Sequence, residues 1–247
     1  MQSVQPGPLV GMSALLLLLG ALDETVGVSG WGWLVGVASG AIINVLLARG
    51  LERSGMGGLG PANRITLTRA MLVCGVAALA VDSFSRPAPS ATFLALTVVA
   101  LVLDAVDGRV ARLTGSTSRL GARFDMEVDA FLILLLSVYV GRTIGAWVLA
   151  IGIAHYVFVA ARLLVPWMRA TVPPRRWCKV VAAIQGLALA LVAADVLPRP
   201  FAILLVGVSL ALLAESFGRE GWELRRMGAP GPVARTALST AGVRAHG

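Results

Sequence analysis

Lysine is almost absent: Lys179 is the only one, and the other positive charges are 20 arginines. Cysteine occurs only at 74 and 178, which excludes a disulfide framework and a cysteine-based zinc site. Charged residues make up only 14% of the chain against 57% hydrophobic, and mean hydropathy is +0.83. That apolar share is above that of a soluble domain, so the chain reads as an integral membrane protein with no room for a separate soluble domain. No repeat of fixed period is present. Residues 1–8 hold no basic residue and so lack the positive region that opens a secretory signal. Segment 9–22 is therefore read as a retained span, short for a crossing and ended by Asp23 and Glu24.

What is there is a series of apolar runs: 9–22, 28–48, 65–81, 91–103, 124–140, 143–165, 178–196 and 201–217. They predict an all-α integral membrane protein. A six-helix transmembrane core (61–217) follows two additional N-terminal transmembrane helices with a linker (1–60), and a partly disordered tail (218–247) closes the chain. The glycines of the second run are read as the ordinary glycine of membrane helices. Asn63 is expected to cap the third helix, 109–123 to be a polar connector, and Gly141–Arg142 a tight turn. The tail is expected to start with a short amphipathic piece holding Trp222 and Leu224. The net charge of +8 raises the question of nucleic acid, but its distribution answers it. Segments 49–69, 108–123, 162–179 and the tail from 218 hold 18 basic residues, while the alternate loops hold only Arg86, Arg142 and Arg199. This is the positive-inside pattern. It predicts a multi-pass protein of the cell membrane with both termini at the cytoplasmic face, and no nucleic-acid partner.

The acids are scarce and concentrated. Of 13, five fall within 104–129, DAVDGRVARLTGSTSRLGARFDMEVD, at the edges of two apolar runs. Acids in such places mark a functional site by default. Asp104 and Asp107 are spaced i,i+3, and Asp125 and Asp129 i,i+4, so each pair shares one helix face. Two such helices side by side bring four carboxylates to one point, where mutual repulsion demands neutralisation. Hard divalent cations with oxygen ligands supply it, and a two-metal site suits phosphoryl displacement. Gly108 and Gly121 allow a backbone or ligand to come close, and Arg112 suits a phosphate. Glu127, two residues from Asp125 and from Asp129, faces away from both. His155 is read as a packed, hydrogen-bonded histidine. Divalent-cation transport is the rival reading of membrane carboxylates.

Asp104, Asp107, Gly108, Ala111, Arg112, Gly121, Asp125 and Asp129 together resemble the signature of the CDP-alcohol phosphotransferase family, D-x-x-D-G-x-x-A-R followed by G-x-x-x-D-x-x-x-D. The resemblance implies a six-helix core and an enzyme of phospholipid synthesis. Such an enzyme transfers a phosphatidyl group from CDP-diacylglycerol or a similar CDP-lipid to an alcohol acceptor and releases CMP. It further implies two Mg²⁺ or Mn²⁺ ions on Asp104, Asp107, Asp125 and Asp129, with Asp129 as the base. Gly108, Ala111 and Arg112 would line the CDP pocket, and Asn63, Thr66 and Arg69 would lie against the donor nucleotide and its phosphates. Ser118 is read equally as a nucleotide contact or an ordinary loop serine. A homodimer is implied as well. Met126 stands where glycerol-phosphate-type members often have proline, and Ala130 where many members have a basic residue, so the acceptor stays open.

Overall fold

The computed structural model describes residues 6–54, 60–86, 90–114, 118–165 and 176–228. Among them it has eight α-helices and no strand: α1 (Pro6–Val26), α2 (Gly30–Arg53), α3 (Pro61–Asp82), α4 (Ser90–Thr114), α5 (Arg119–Ile144), α6 (Leu149–Leu164), α7 (Arg176–Ala193) and α8 (Arg199–Gly228). Six are long and apolar enough to cross a membrane; α7 has a shorter apolar stretch, Trp177–Ala193. α5 carries Arg119, Arg123, Asp125, Glu127 and Asp129 at its start before turning apolar. The protein is thus a multi-pass α-helical membrane protein.

α3 is the hub. Ala70, Val73, Cys74, Val76, Ala77, Ala78 and Leu79 are each 0% exposed, because α1, α2, α4 and α5 all pack on this one helix. Lipid is as apolar as leucine, so helix association here depends on close packing and interhelical hydrogen bonds. The small side chains of α3 permit that closeness. Between α7 and α8, Gln185 Nε2 donates to the Ser209 carbonyl at 2.7 Å, and Ser209 Oγ donates back to Gln185 Oε1 at 2.7 Å.

The glycines of α2 are packing surface, contrary to the expectation from composition. A Cβ on Gly40 would lie 2.1 Å from Leu15 Cδ2, one on Gly36 3.1 Å from Leu19, and one on Gly32 2.6 Å from Asp82 Oδ1. Only Gly30 of that series meets nothing. Which glycines face a neighbour depends on the rotation of α2 about its axis, and composition is blind to that.

Helix ends also differ from expectation. α1 runs past Asp23 and Glu24 to Val26, and the left-handed Gly27 (φ 66°) turns the chain. Asp23 instead accepts hydrogen bonds from Val28 N at 2.8 Å and Trp33 Nε1 at 3.2 Å, so it stabilises the turn. α3 starts at Pro61 with Gly60 as its cap, not at Asn63; proline is preorganised for the first helical position. The polar stretch 109–123 is mostly helix, the ends of α4 and α5. Gly141–Arg142 continues α5, and the turn falls at Gly145 (φ 147°). α8 passes through 217–218 without a break. Its 30 residues span about 45 Å, longer than the ~30 Å hydrocarbon layer, so one end projects. The tail beyond 228 and most of the loop after α6 lie outside the described residues.

At the end of the bundle away from the acids, Asp82 fastens the α1–α2 hairpin to α3. Its carboxylate is 1% exposed and accepts from Ser29 N at 2.9 Å, from Ser29 Oγ, and from Arg86 at 2.7 Å. Ser29 Oγ also caps α2 by accepting from Gly32 N at 3.1 Å, and Arg86 donates to the Gly27 carbonyl. Asp82→Ala is expected to destabilise the protein by about 2–3 kcal/mol, since it removes a buried charged acceptor and strands the half-buried donors of Ser29, while half-exposed Arg86 regains water. A lowered thermal midpoint in detergent, with little change for Glu24→Ala, is the check.

Candidate active site

The site is built where α3, α4 and α5 meet. The i,i+3 and i,i+4 spacings put each pair of aspartates on one face of its helix, and contact of both helices with α3 turns those faces together. One carboxylate oxygen each from Asp104, Asp107 and Asp125 lie within 4.8 Å of one another.

Arg69 of α3 stands at the centre. It is 1% exposed and ion-pairs with all four aspartates: Asp104, Asp107 at 3.3 Å, Asp125 at 2.7 Å and Asp129 at 3.0 Å. The nitrogen that meets Asp125 also donates to the Asp125 carbonyl at 3.2 Å. Thr66, one turn earlier on α3, donates to Asp107 Oδ2 at 3.1 Å. The resemblance put Arg69 against the donor phosphates; in the folded chain its guanidinium lies among the carboxylates. The signal for that was available, because an arginine buried in an apolar span requires an acidic partner.

Exposure gives the site a direction. Asp107 is 5% exposed, whereas Asp104, Asp125 and Asp129 are 41%, 35% and 36% exposed. Arg69 closes the deep side, and the outer carboxylates open to the surroundings.

The two motif glycines differ in kind. A Cβ on Gly121 would fall 2.3 Å from Asn63 Oδ1 and 3.0 Å from Ser118 Oγ, so glycine is required there by the packing of α5 on α3. Gly108 is open: a Cβ would meet only Arg112 Nη1, at 3.5 Å. The protein's own packing does not demand a glycine there, which leaves clearance for a ligand beside Asp107. Exposed Arg112 lies over that clearance, one turn on. Ala111 falls on α4, and its side chain is outside the described residues. Ser118 caps α5, its Oγ accepting from Gly121 N at 2.9 Å, and Asn63 is 5% exposed. Both residues thus have a structural part at the start of α5.

Glu127 stays out of the cluster, as its angular position requires. It lies 3.7 Å from His155 Nε2, and the His155 ring packs edge-on against Tyr156.

Four carboxylates face one guanidinium here, a formal excess of three negative charges. The donors are all hard oxygens, clustered and open on one side. Such a set fits a hard divalent cation and does not suit a soft metal. Fold and site together define a multi-pass membrane protein with an intramembrane carboxylate centre beside an arginine and an open glycine.

The chain belongs to the CDP-alcohol phosphatidyltransferase family, whose profile matches residues 60–214. It is similar to two CDP-diacylglycerol–serine O-phosphatidyltransferases of Helicobacter pylori. One, from strain 26695, is 40% identical over 73 residues, 28% of this chain and 31% of the relative. The other, from strain J99, is 42% identical over the same shares. The match thus spans about a third of the length of these relatives. No solved structure matches the chain.

Proposed function

We propose that this protein transfers a phosphatidyl group from CDP-diacylglycerol, or a similar CDP-lipid, to the hydroxyl of an alcohol acceptor and releases CMP. The convergence of Asp104, Asp107, Asp125 and Asp129 beside the open Gly108 supports this reading best. In the reaction the acceptor oxygen bonds to the phosphorus next to the lipid. The bond from that phosphorus to the CMP oxygen breaks, and the acceptor proton passes to a base.

Asp104, Asp107 and Asp125, with Asp129 at the edge, would hold two Mg²⁺ or Mn²⁺ ions, which when bound neutralise a pyrophosphate and acidify a hydroxyl. The rest is work for the chain's own side chains. Asp129 takes the acceptor proton at a carboxylate oxygen. Arg69 keeps the four carboxylates together and oriented from the deep side. Gly108 admits the donor's phosphates close to the α4 backbone, and Arg112 is positioned to pair with one of them.

The acceptor is expected on the α5–α7 side. α7 packs on α5 there, and its first turn carries Lys179, the chain's single lysine. Serine is a first candidate because the similar Helicobacter pylori proteins are serine transferases. The arginine distribution supports a cytoplasmic site with the protein in the plasma membrane, and a homodimer is the expected assembly.

Purified protein with labelled CDP-diacylglycerol, challenged with serine, glycerol phosphate, inositol phosphate and other alcohols, is expected to release CMP with one acceptor class. EDTA is expected to abolish release and added Mg²⁺ or Mn²⁺ to restore it. Metal flux into liposomes without CMP release under any acceptor would favour transport instead. The gathering of the acids at one end of the bundle, rather than along a path, argues against transport.

A further inference from the structure

The α1–α2 hairpin precedes the matched family region, and nothing in the transfer chemistry calls for it. Yet it is built into the bundle at both ends. Away from the acids, Ser29 at the start of α2 is bound by Asp82 at the end of α3. Along its length, Gly32, Gly36 and Gly40 lie against Asp82, Leu19 with Ala78, and Leu15 with Cys74. At the acidic end, Gly50 of α2 receives Leu120 of α5, and a Cβ on Gly50 would lie 2.6 Å from Leu120 Cδ1.

The position of Leu120 matters. The next residue, Gly121, is pressed on α3 at Asn63, where a Cβ would lie 2.3 Å from Oδ1. Two successive residues in the first turn of α5 are thus held by two different helices, Leu120 by α2 and Gly121 by α3. Asp125 follows Leu120 by five residues, about 7.5 Å along the helix. Asp129 is one turn further. A tilt or rotation of this first turn moves both carboxylates relative to Arg69, which is fixed in α3.

We infer that Leu120, seated on Gly50, is a positioning residue for Asp125 and Asp129, and that the α1–α2 hairpin serves the reaction through this seat. The inference rests on the transferase reading. Misplacement by about 1 Å is enough to cost on the order of a hundredfold in rate, so small movements of α5 matter to turnover while leaving the fold intact.

The experiment compares Gly50→Leu, Leu120→Ala and the double variant in the CMP-release assay, with thermal midpoints measured in the same detergent. Gly50→Leu raises helix propensity in α2, so a loss of activity cannot be assigned to a weaker helix. It is expected to lower kcat about tenfold, with KM for CDP-diacylglycerol and the thermal midpoint close to wild type. Adding Leu120→Ala vacates the seat and is expected to recover most of kcat, the non-additivity that marks directly coupled residues. Leu120→Ala alone, which cannot jam the seam, is expected to lower kcat, and Leu120→Met to restore it. This arm decides the matter if Gly50→Leu does not fold.

Unchanged kcat in both single variants overturns the role. So does a loss of kcat that only follows a fall in thermal midpoint and is not relieved in the double variant. A wild-type protein that releases no CMP sinks the transferase reading and this role together. An active wild type with indifferent variants sinks this role alone.

Discussion

Asp129→Asn is expected to lower CMP release by about a thousandfold, the scale of a lost general base, while the protein folds as before. Asparagine has nearly the same shape and keeps an oxygen that can face Arg69 across the 3.0 Å contact. What it loses is the negative charge and the capacity to take a proton. The measurement also separates the two parts proposed for this residue. If Asp129 acts mainly as a cation ligand, raising Mn²⁺ will recover much of the rate. If it acts as the base, saturating Mn²⁺ will leave the rate low. Unchanged CMP release in the variant would remove Asp129 from the base role altogether.

Arg69→Ala should be the most damaging single change to the site. The guanidinium is 1% exposed and answers four carboxylates, of which Asp107 is itself buried. Its removal leaves buried negative charge without a counter-ion, a class of change that costs about 3–5 kcal/mol. Thermal denaturation without divalent cation is expected to show a large loss. Mg²⁺ should then stabilise the variant more than it stabilises wild type, because cation binding would supply the missing charge. Activity is expected to fall at least about a hundredfold even at saturating Mg²⁺, since the carboxylates lose their fixed orientation. Arg69→Lys should repair stability better than activity, because a single ammonium cannot reproduce the fork of an arginine. Equal thermal midpoints for Arg69→Ala and wild type in EDTA would contradict the central place assigned to this side chain.

Much of the architecture was legible in residue order. Each apolar run became a helix, because a chain in lipid must satisfy its backbone internally. The convergence of Asp104, Asp107 and Asp125 followed from two helical spacings, and the outward position of Glu127 from the same periodicity. The places where reading failed share a cause. Asn63 looked like a cap, but Pro61 is preorganised two residues earlier, and Asn63 went to the contact with Gly121. The polar run 109–123 looked like a connector because it is charged. Helix ends that emerge from a membrane are charged as well, so polarity did not mark where α4 stops. Asp82 stands just past the apolar run 65–81, and only the return of α2 beside α3 makes it the acceptor for Ser29 and Arg86.

By itself the sequence determined the membrane class, the number of helices and the acidic constellation, because hydropathy, charge and helical periodicity are properties of neighbours along the chain. Only the tertiary structure decided that Arg69 faces all four aspartates, that Gly121 is required for packing while Gly108 is not, and that the N-terminal hairpin bears on α5. Those facts depend on how each helix is rotated against the next, which is fixed by side chains meeting across distances of sequence that no local pattern encodes.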